Sequence, residues 1–577
     1  MATMRRTRTQ WRRSAVLSIA MAGVTFLSLR LVAQRGTDAA PADLLILNGK
    51  VYSAGVVLEA MAIRGKTIVG VGRAQDLERF RGPRTDVIDA RGRAVVPGFN
   101  DSHVHFLSGG LGLCDLDLAG VASLREAQDK IRVFAQTKPD EPWVRGRGWL
   151  YSAFPGGLPT KEQLNEVVPD RPAVMVAYDG HTTWVNSKAL QVAGITKATP
   201  DPANGIIAKD PKTGEPTGVL KESAQSLLNR VVPRPTDDDR RSALRAAVRE
   251  ANRLGVTSIQ NASGSADELK LYADAKAAGD LEVRTYAALS ISPGFSDADA
   301  DRFDAVRTLY GDDPVFRTGI VKIMADGVIE SRTAGMLAPY AGVTTSGSPN
   351  YSAVELDRII AMMDKRGWQI QVHAIGDRTI RMTLDAFARA IAANPAPPRG
   401  RRHRIEHIET IDAADIPRFG SLGVIASQQP MHVVLGDMNS LKPSGPWPDN
   451  LGPERASRAW NWKSIRDAGG RVTFGSDWAV APLDPLQGIW VVTTRLTPPG
   501  MRDQRLPIAL AIDGYTAWPA YASFDEQRKG TLVPGMLADV VVLSRDIFAQ
   551  PPATATDVVV DVTIFDGRVV YRRQEAR

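Results

Sequence analysis

Two histidines stand two residues apart in Pro97-Gly98-Phe99-Asn100-Asp101-Ser102-His103-Val104-His105. On an extended strand, positions i and i+2 face the same way, so His103 and His105 project together and Val104 opposes them. Two imidazoles on one face are half of a metal site. Alone, the pair reads equally well as polar residues in a loop after a strand. The chain has only seven histidines, and the positions of the others bear on the choice. His373 closes Gln369-Ile370-Gln371-Val372-His373, and His407 closes Arg404-Ile405-Glu406-His407. Asp477 follows Thr473-Phe474-Gly475-Ser476, and Lys322 interrupts the apolar run Gly319–Met324. Each has a bland reading: a hydrogen-bonded strand-end histidine, an aspartate capping the next helix, a lysine whose stem is buried and whose head is wet. Six such residues at strand ends argue jointly for a metal centre.

Those residues need elements to bring them together. Between residues ~97 and ~529 a cadence recurs in which a helical segment ends at glycine and a short apolar strand follows. Arg241–Leu254 then Gly255, Val354–Arg366 then Gly367, Ile416–Leu422 then Gly423, and Ala456–Ala468 then Gly469 are four cases. Glycine past a helix supplies a left-handed cap, and alternating helices and strands imply parallel βαβ units. Candidate strands are Val95–Phe99, Val256–Ile259, Arg284–Leu289, Gly319–Met324, Gln369–Val372, Arg404–Glu406, Val424–Ala426 and Val472–Phe474. Eight is the number that closes a (β/α)8 TIM-type barrel. A doubly wound open sheet is the alternative, and the lack of a glycine-rich dinucleotide loop after the first strand weighs against it. Barrel sites collect at the C-terminal strand ends, where all six residues fall; His403 opens its strand at the opposite end.

The remaining stretches are not barrel. Residues ~108–235 are far longer than a βα loop and carry a strand, Ala173–Tyr178, so they read as an inserted subdomain after the first barrel strand. Residues 43–96 and 530–577 are strand-rich with Asn48-Gly49 and Asp566-Gly567 turns, which predicts a small β-sandwich domain built from both termini. The fold class is therefore α/β, with the barrel over residues 97–529. Residues 1–36 hold seven arginines and no acid, then an apolar run from Ala15 to Leu29, shorter than the ~20 residues of a membrane span. They read as a signal peptide or uncleaved N-terminal anchor, taking the protein to the periplasm or outside by the Sec or Tat route. The net charge of +7 is this segment's alone, since the rest has equal Lys+Arg and Asp+Glu, so the basic balance does not point to nucleic acid. Cys114 is the single cysteine, which excludes an intrachain disulfide. A homodimer is left open, and contact with membrane is expected only through the N-terminal segment.

Taken together, PGFNDSHVHF (97–106), VKIMADGVIESRTA (321–334), QVHAIGDR (371–378), RIEHIE (404–409) and FGSDWAVAPLDP (474–485) resemble the metal-dependent amidohydrolase superfamily. The likeness is to its amidohydrolase 3 branch, that of YtcJ-like proteins and N-substituted formamide deformylases. PDRPAVMVAYDGHTTWVNSKAL (169–190) and GMLADVVVL (535–543) extend it over nearly everything after residue ~43. The resemblance implies that His103 and His105 bind one divalent metal and His373 and His407 a second, with N6-carboxylated Lys322 between them. A free lysine, with a pKa near ~10.4, is protonated and no ligand. Asp477 would ligate metal and shuttle the proton. One or two ions fit the motifs; zinc is the expected one, and Mn, Fe, Co and Ni also suit N/O ligands. The implied activity is hydrolysis of a C–N bond, amide or formamide-like, in a small-molecule substrate by metal-activated hydroxide. Alternatives on the same scaffold are ester or lactone hydrolysis and deamination; a non-catalytic exported binding protein is the alternative from another class. Asp326, Arg332, His181 and His432 are candidate substrate contacts, although Arg332 could instead pair with Asp326. Trp149 and Trp478 either line an apolar pocket or are packed aromatics.

Overall fold

Eight parallel strands form one sheet in chain order: β1 (Phe99–Val104), β2 (Val256–Asn261), β3 (Arg284–Ile291), β4 (Phe316–Met324), β5 (Gln369–Ala374), β6 (Arg404–His407), β7 (Ile425–Gln428) and β8 (Arg471–Phe474). In the computed structural model, which describes residues 40–574 apart from 114, 229, 436–440, 498–501 and 555, the sheet curls until β8 meets β1. This is the (β/α)8 barrel expected from the strand count. The segment after β8 makes the closing contacts: Asp477 N–H donates to His103 O (2.7 Å) and His105 N–H to Trp478 O (2.6 Å). The Asp101 carboxylate accepts Ser476 N–H at 3.0 Å. Gly475 permits the approach, since a Cβ there would lie 2.5 Å from His103 N.

The strands are apolar on both faces because helices cover the outside and side-chain layers fill the inside. Val321 and Ile323 of β4 join the main core under the helices, while Lys322 between them points inward to β1. The interior is partly polar: buried Arg404 donates to Gln260 Oε1 and Gln371 Oε1, each at 2.5 Å.

Most strand ends shift by one to three residues, and two elements differ from expectation in kind. The first barrel strand is Phe99–Val104, not Val95–Phe99. Ala94–Pro97 is a separate strand of the neighbouring sheet, pairing with Lys50-Val51 and Val540–Val542. The chain changes sheets at Gly98, where a Cβ would overlap the Thr257 hydroxyl. The expected helix Ala456–Ala468 is broken into Pro453–Ala456 and Trp462–Asp467. Ala459 bridges to Thr410, and Trp460, at φ 41°, donates its N–H to Glu409 O, so tertiary bonds override the helical pattern.

Residues from both ends build two further sheets. One orders Thr67–Gly72, Ala60–Arg64, Leu44–Leu47 and Asp86–Asp89; the other Arg568–Arg572, Val560–Phe565, Val540–Leu543, Ala94–Pro97, Lys50–Ser53 and Val56–Leu58. Ile46, Met61 and Ile63 pack against Val95, Val540 and Ile564 between them. Arg284, at the start of β3, reaches out of the barrel to Asp539 (2.6 and 2.9 Å) and Asp566 (2.9 Å), a buried ionic staple. A six-stranded mixed sheet lies between β1 and β2 in the chain, ordered Gly205–Lys209, Pro216–Glu222, Thr182–Val185, Ala173–Ala177, Val144–Trp149 and Leu116-Asp117. Its core is rich in aromatics, among them Trp149, Tyr151, Phe154 and Trp184. The N-terminal segment 1–36 and Cys114 lie outside the described residues, among which no helix is long and apolar enough to cross a membrane.

Candidate metal centre

The six residues singled out for metal converge above the C-terminal mouth of the barrel. His103, His407 and Asp477 offer ligand atoms that all lie within 4.8 Å of one another. His105 Nε2 is 3.1 Å from Asp477 Oδ1, Lys322 Nζ is 3.3 Å from His103 Nε2, and the His373 and His407 rings are 4.4 Å apart. His103 reaches the centre from within β1, and His105 from one residue beyond it. Lys322 arrives from β4, His373 from β5, His407 from the end of β6 and Asp477 from the turn after β8. His407 (φ 74°) and Asp477 (φ 60°) both adopt the left-handed backbone that costs a side-chain-bearing residue of order 1–3 kcal/mol. The kink lets His407 turn to the centre although Glu406, its neighbour on a regular strand, also faces inward.

Electrostatics put three of the histidines and Asp477 in ligand form. Burial, then the Lys322 ammonium, push His103 down to about 4, and burial holds His373 and His407 well below the ordinary histidine range. All three are neutral imidazoles at pH 7. Burial opposes ionisation of Asp477, but His103 and His105 outweigh it and hold the carboxyl well below its usual range. Lys322 is pushed by burial down to about 8, against the pull of Glu406 and Asp477. Among the described residues His407 Nδ1 is buried without a hydrogen-bond partner, and Asp477 Oδ1 faces His105 Nε2 at 3.1 Å and His103 Nε2 at 3.4 Å. A neutral imidazole lone pair left bare beside a buried carboxylate is costly unless a cation takes both. The donor set therefore fits a divalent ion.

Supporting groups fix the ligands. Glu406 accepts the His103 Nδ1–H at 2.6 Å, which leaves Nε2 bare toward the centre. Burial raises the Glu406 carboxyl, but Arg404 and His103 outweigh it and bring it down to about 2. Ser263 Oγ holds His105 Nδ1 at 2.7 Å.

Beside the centre lies a small cavity of about 40 Å³, lined by His373, His407 and Asp477 and by Tyr178, His181, Glu330, Glu409 and His432. The hairpin between Ala173–Ala177 and Thr182–Val185 carries Tyr178 and His181 over the mouth. His181 pairs with Glu222 at 2.8 Å; burial disfavours its charge, but Glu222 raises it to about 9. His432 has Nδ1 3.3 Å from Glu409 and a bare Nε2 3.6 Å from Asp477. Asp326 and Arg332 are not in this lining. Asp326 is buried and accepts the N–H groups of Gly335, Ile375 and Gly376, tying the loop after β4 to the end of β5. Arg332 is exposed and bonds to Asn450 (2.8 Å) instead of Asp326. Trp149 donates to Met175 O inside the insertion core, and Trp478 packs on Phe106, so both are packed aromatics. His403 sits at the far end of β6, bonded to Asp364 (2.8 Å). Sequence reasoning passed over Glu406, Ser263 and Glu409 as partners. Glu406 had a signal, since it alternates with Arg404 on the inward face.

A family model described as amidohydrolase family matches residues 86–571. The putative amidohydrolase YtcJ of Bacillus subtilis is 32% identical over 89% of this chain and 96% of its own. N-substituted formamide deformylase of Arthrobacter pascens is 27% identical over 92% and 98%. The crystal structure of an uncharacterized metal-dependent hydrolase from Pyrococcus furiosus superimposes with a TM-score of 0.66 at 25% identity, covering 88% of this chain and 99% of that one. The chain thus belongs to the amidohydrolase family, as a metal-dependent hydrolase of carbon–nitrogen bonds.

Proposed function

We propose that the protein is an exported amidohydrolase that cleaves an amide or formamide-like bond in a small molecule. The observation that carries the reading is the convergence of His103, His105, Lys322, His373, His407 and Asp477 beside a cavity, with His103, His407 and Asp477 offering ligand atoms within 4.8 Å of one another. His103 and His105 would hold one divalent ion and His373 and His407 a second, with Lys322 between them. Zinc is the proposed ion. It would supply a Lewis acid for the scissile carbonyl and an activated water. Lys322 is suited to carboxylation, because only a free amine adds CO2 and burial favours that form.

The chain's own residues do the rest. Asp477 accepts a proton from the water that adds to the carbonyl carbon, then returns it to the nitrogen as the C–N bond breaks. Glu406 keeps His103 in the tautomer with Nε2 free. His181 and His432 line the cavity beside the centre and are the proposed contacts for the substrate's polar atoms. Export rests on the arginine-rich start and apolar run of residues 1–36. The test is metal analysis of purified protein joined to hydrolysis of a panel of N-acyl, N-formyl and cyclic amides. Stoichiometric metal and turnover of one amide class are expected. Protein that binds no transition metal and hydrolyses none of the panel would refute the reading.

A further inference from the structure

A second cavity of about 20 Å³ adjoins the first and shares Tyr178, Glu330, Leu435 and His432 with it. Its walls come from three places. Tyr151 and Tyr178 belong to the insertion, Glu330 to the loop after β4, and Trp447 and Trp460 to the segment between β7 and β8. Trp447 and Trp460 stack face to face at 4.6 Å, so each ring covers one face of the other, and both belong to the lining. The break in the expected helix Ala456–Ala468 is what places Trp460 there.

Two features show that this space is not built for hydrocarbon. Among the described residues, the Trp460 indole N–H, 1% exposed, and the Ser444 hydroxyl are buried without partners, and both belong to the cavity lining. A purely apolar occupant would leave them unsatisfied at a cost of about 1–3 kcal/mol each. Glu330 also belongs to this lining, and Tyr178 donates its hydroxyl to it at 2.7 Å. The other titratable side chain in the lining besides tyrosine, His432, already has Glu409 as its partner. Burial, then Glu409 and Asp179, raise the Glu330 carboxyl to about 8. A carboxyl group among tyrosine and tryptophan faces suits an organic cation, which gains from the ring quadrupoles and from the carboxylate together.

We propose that this cavity is a substrate subsite for a protonated amine, with Glu330 as counter-ion and Tyr151, Tyr178, Trp447 and Trp460 as its aromatic walls. The proposal rests on the reading of the adjoining centre as the place of hydrolysis, and it names the class of substrate: an amide whose substituent carries an ammonium group. The unpartnered Trp460 N–H and Ser444 hydroxyl then serve an oxygen near that nitrogen.

The test separates binding from turnover. Purified wild-type protein and E330Q are titrated calorimetrically with n-propylammonium and with n-propanol, each variant's folding being checked by thermal melting. Saturable ammonium binding that n-propanol does not match is expected in wild type, with the preference falling about tenfold or more in E330Q, the loss of one charge-assisted contact. Equal affinity for both probes, no ammonium binding at all, or an unchanged preference in E330Q would each overturn the subsite. Hydrolysis is scored apart, on paired amides with aminoalkyl and alkyl substituents. A protein that binds the ammonium yet hydrolyses neither amide contradicts the proposed function and not the subsite.

Discussion

Replacing Glu406 with glutamine probes how the centre is held. Glu406 is fully buried between Arg404 and His103, and its carboxyl is brought down to about 2 from an ordinary 4.5. That depression is worth about 3 kcal/mol to the folded state at neutral pH. Glutamine keeps the shape and an oxygen for the His103 Nδ1–H, and Arg404 keeps Gln260 and Gln371, so the expected net loss is about 2–3 kcal/mol. For a chain of this length the unfolding entropy is on the order of 1 kcal/mol per kelvin, so metal-stripped E406Q should melt about 2–3 °C lower at pH 7. Because the folded carboxyl is depressed, its stabilisation is complete above about 4.5 and fades as the pH falls toward about 2. By pH ~3.5 about 1.4 kcal/mol of it should be gone, and the melting difference should narrow. In metal-loaded protein, chelator competition should show metal affinity weakened about 10- to 100-fold, because His103 loses the charge that fixes its tautomer. Equal melting at neutral pH with unchanged metal retention would refute the reasoning, and so would a difference that widens on acidification.

Other perturbations test separate parts of the molecule. D477N should lower kcat by about 10²–10⁴-fold with the melting midpoint nearly kept, and wild-type turnover in steady-state assays would remove Asp477 from proton transfer. K322A should lose bound metal by elemental analysis, and short carboxylic acids should restore part of it with activity; full retention of metal would exclude a ligand role for Lys322. D539N leaves the Arg284 charge with Asp566 as its remaining partner and should cost about 1.5–3 kcal/mol in thermal unfolding, with hydrolysis below the transition unaffected.

Most of what positions the site was legible because the chain repeats a simple rule. Helix, glycine, apolar strand recurs around the barrel, and polar residues at the ends of such strands have one place to face. That logic reached His103, His105, Lys322, His373, His407 and Asp477 without any knowledge of distance. It faltered where distant parts meet. Val95 and Val96 look like the start of β1, yet they pair with Val542 and Val541 from the other end of the chain. Asp326 looked poised toward substrate, but three backbone amides claim it, and backbone partners leave no mark in side-chain spacing. Trp460 sits in what reads as helix, and only its bond to Glu409 O turns it into a pocket wall.

The barrel closes through the very residues that carry the chemistry. Ser476 and Asp101 lie 375 residues apart, and beside their bond the main chains of Asp477, His103, His105 and Trp478 interlock. No stretch that stops short of the last barrel strand can therefore assemble the centre, because its last carboxylate arrives just after that strand. Capture of an ion becomes a reporter of barrel closure. A nascent or misfolded chain offers scattered histidines, while a completed one offers a pre-arranged trap.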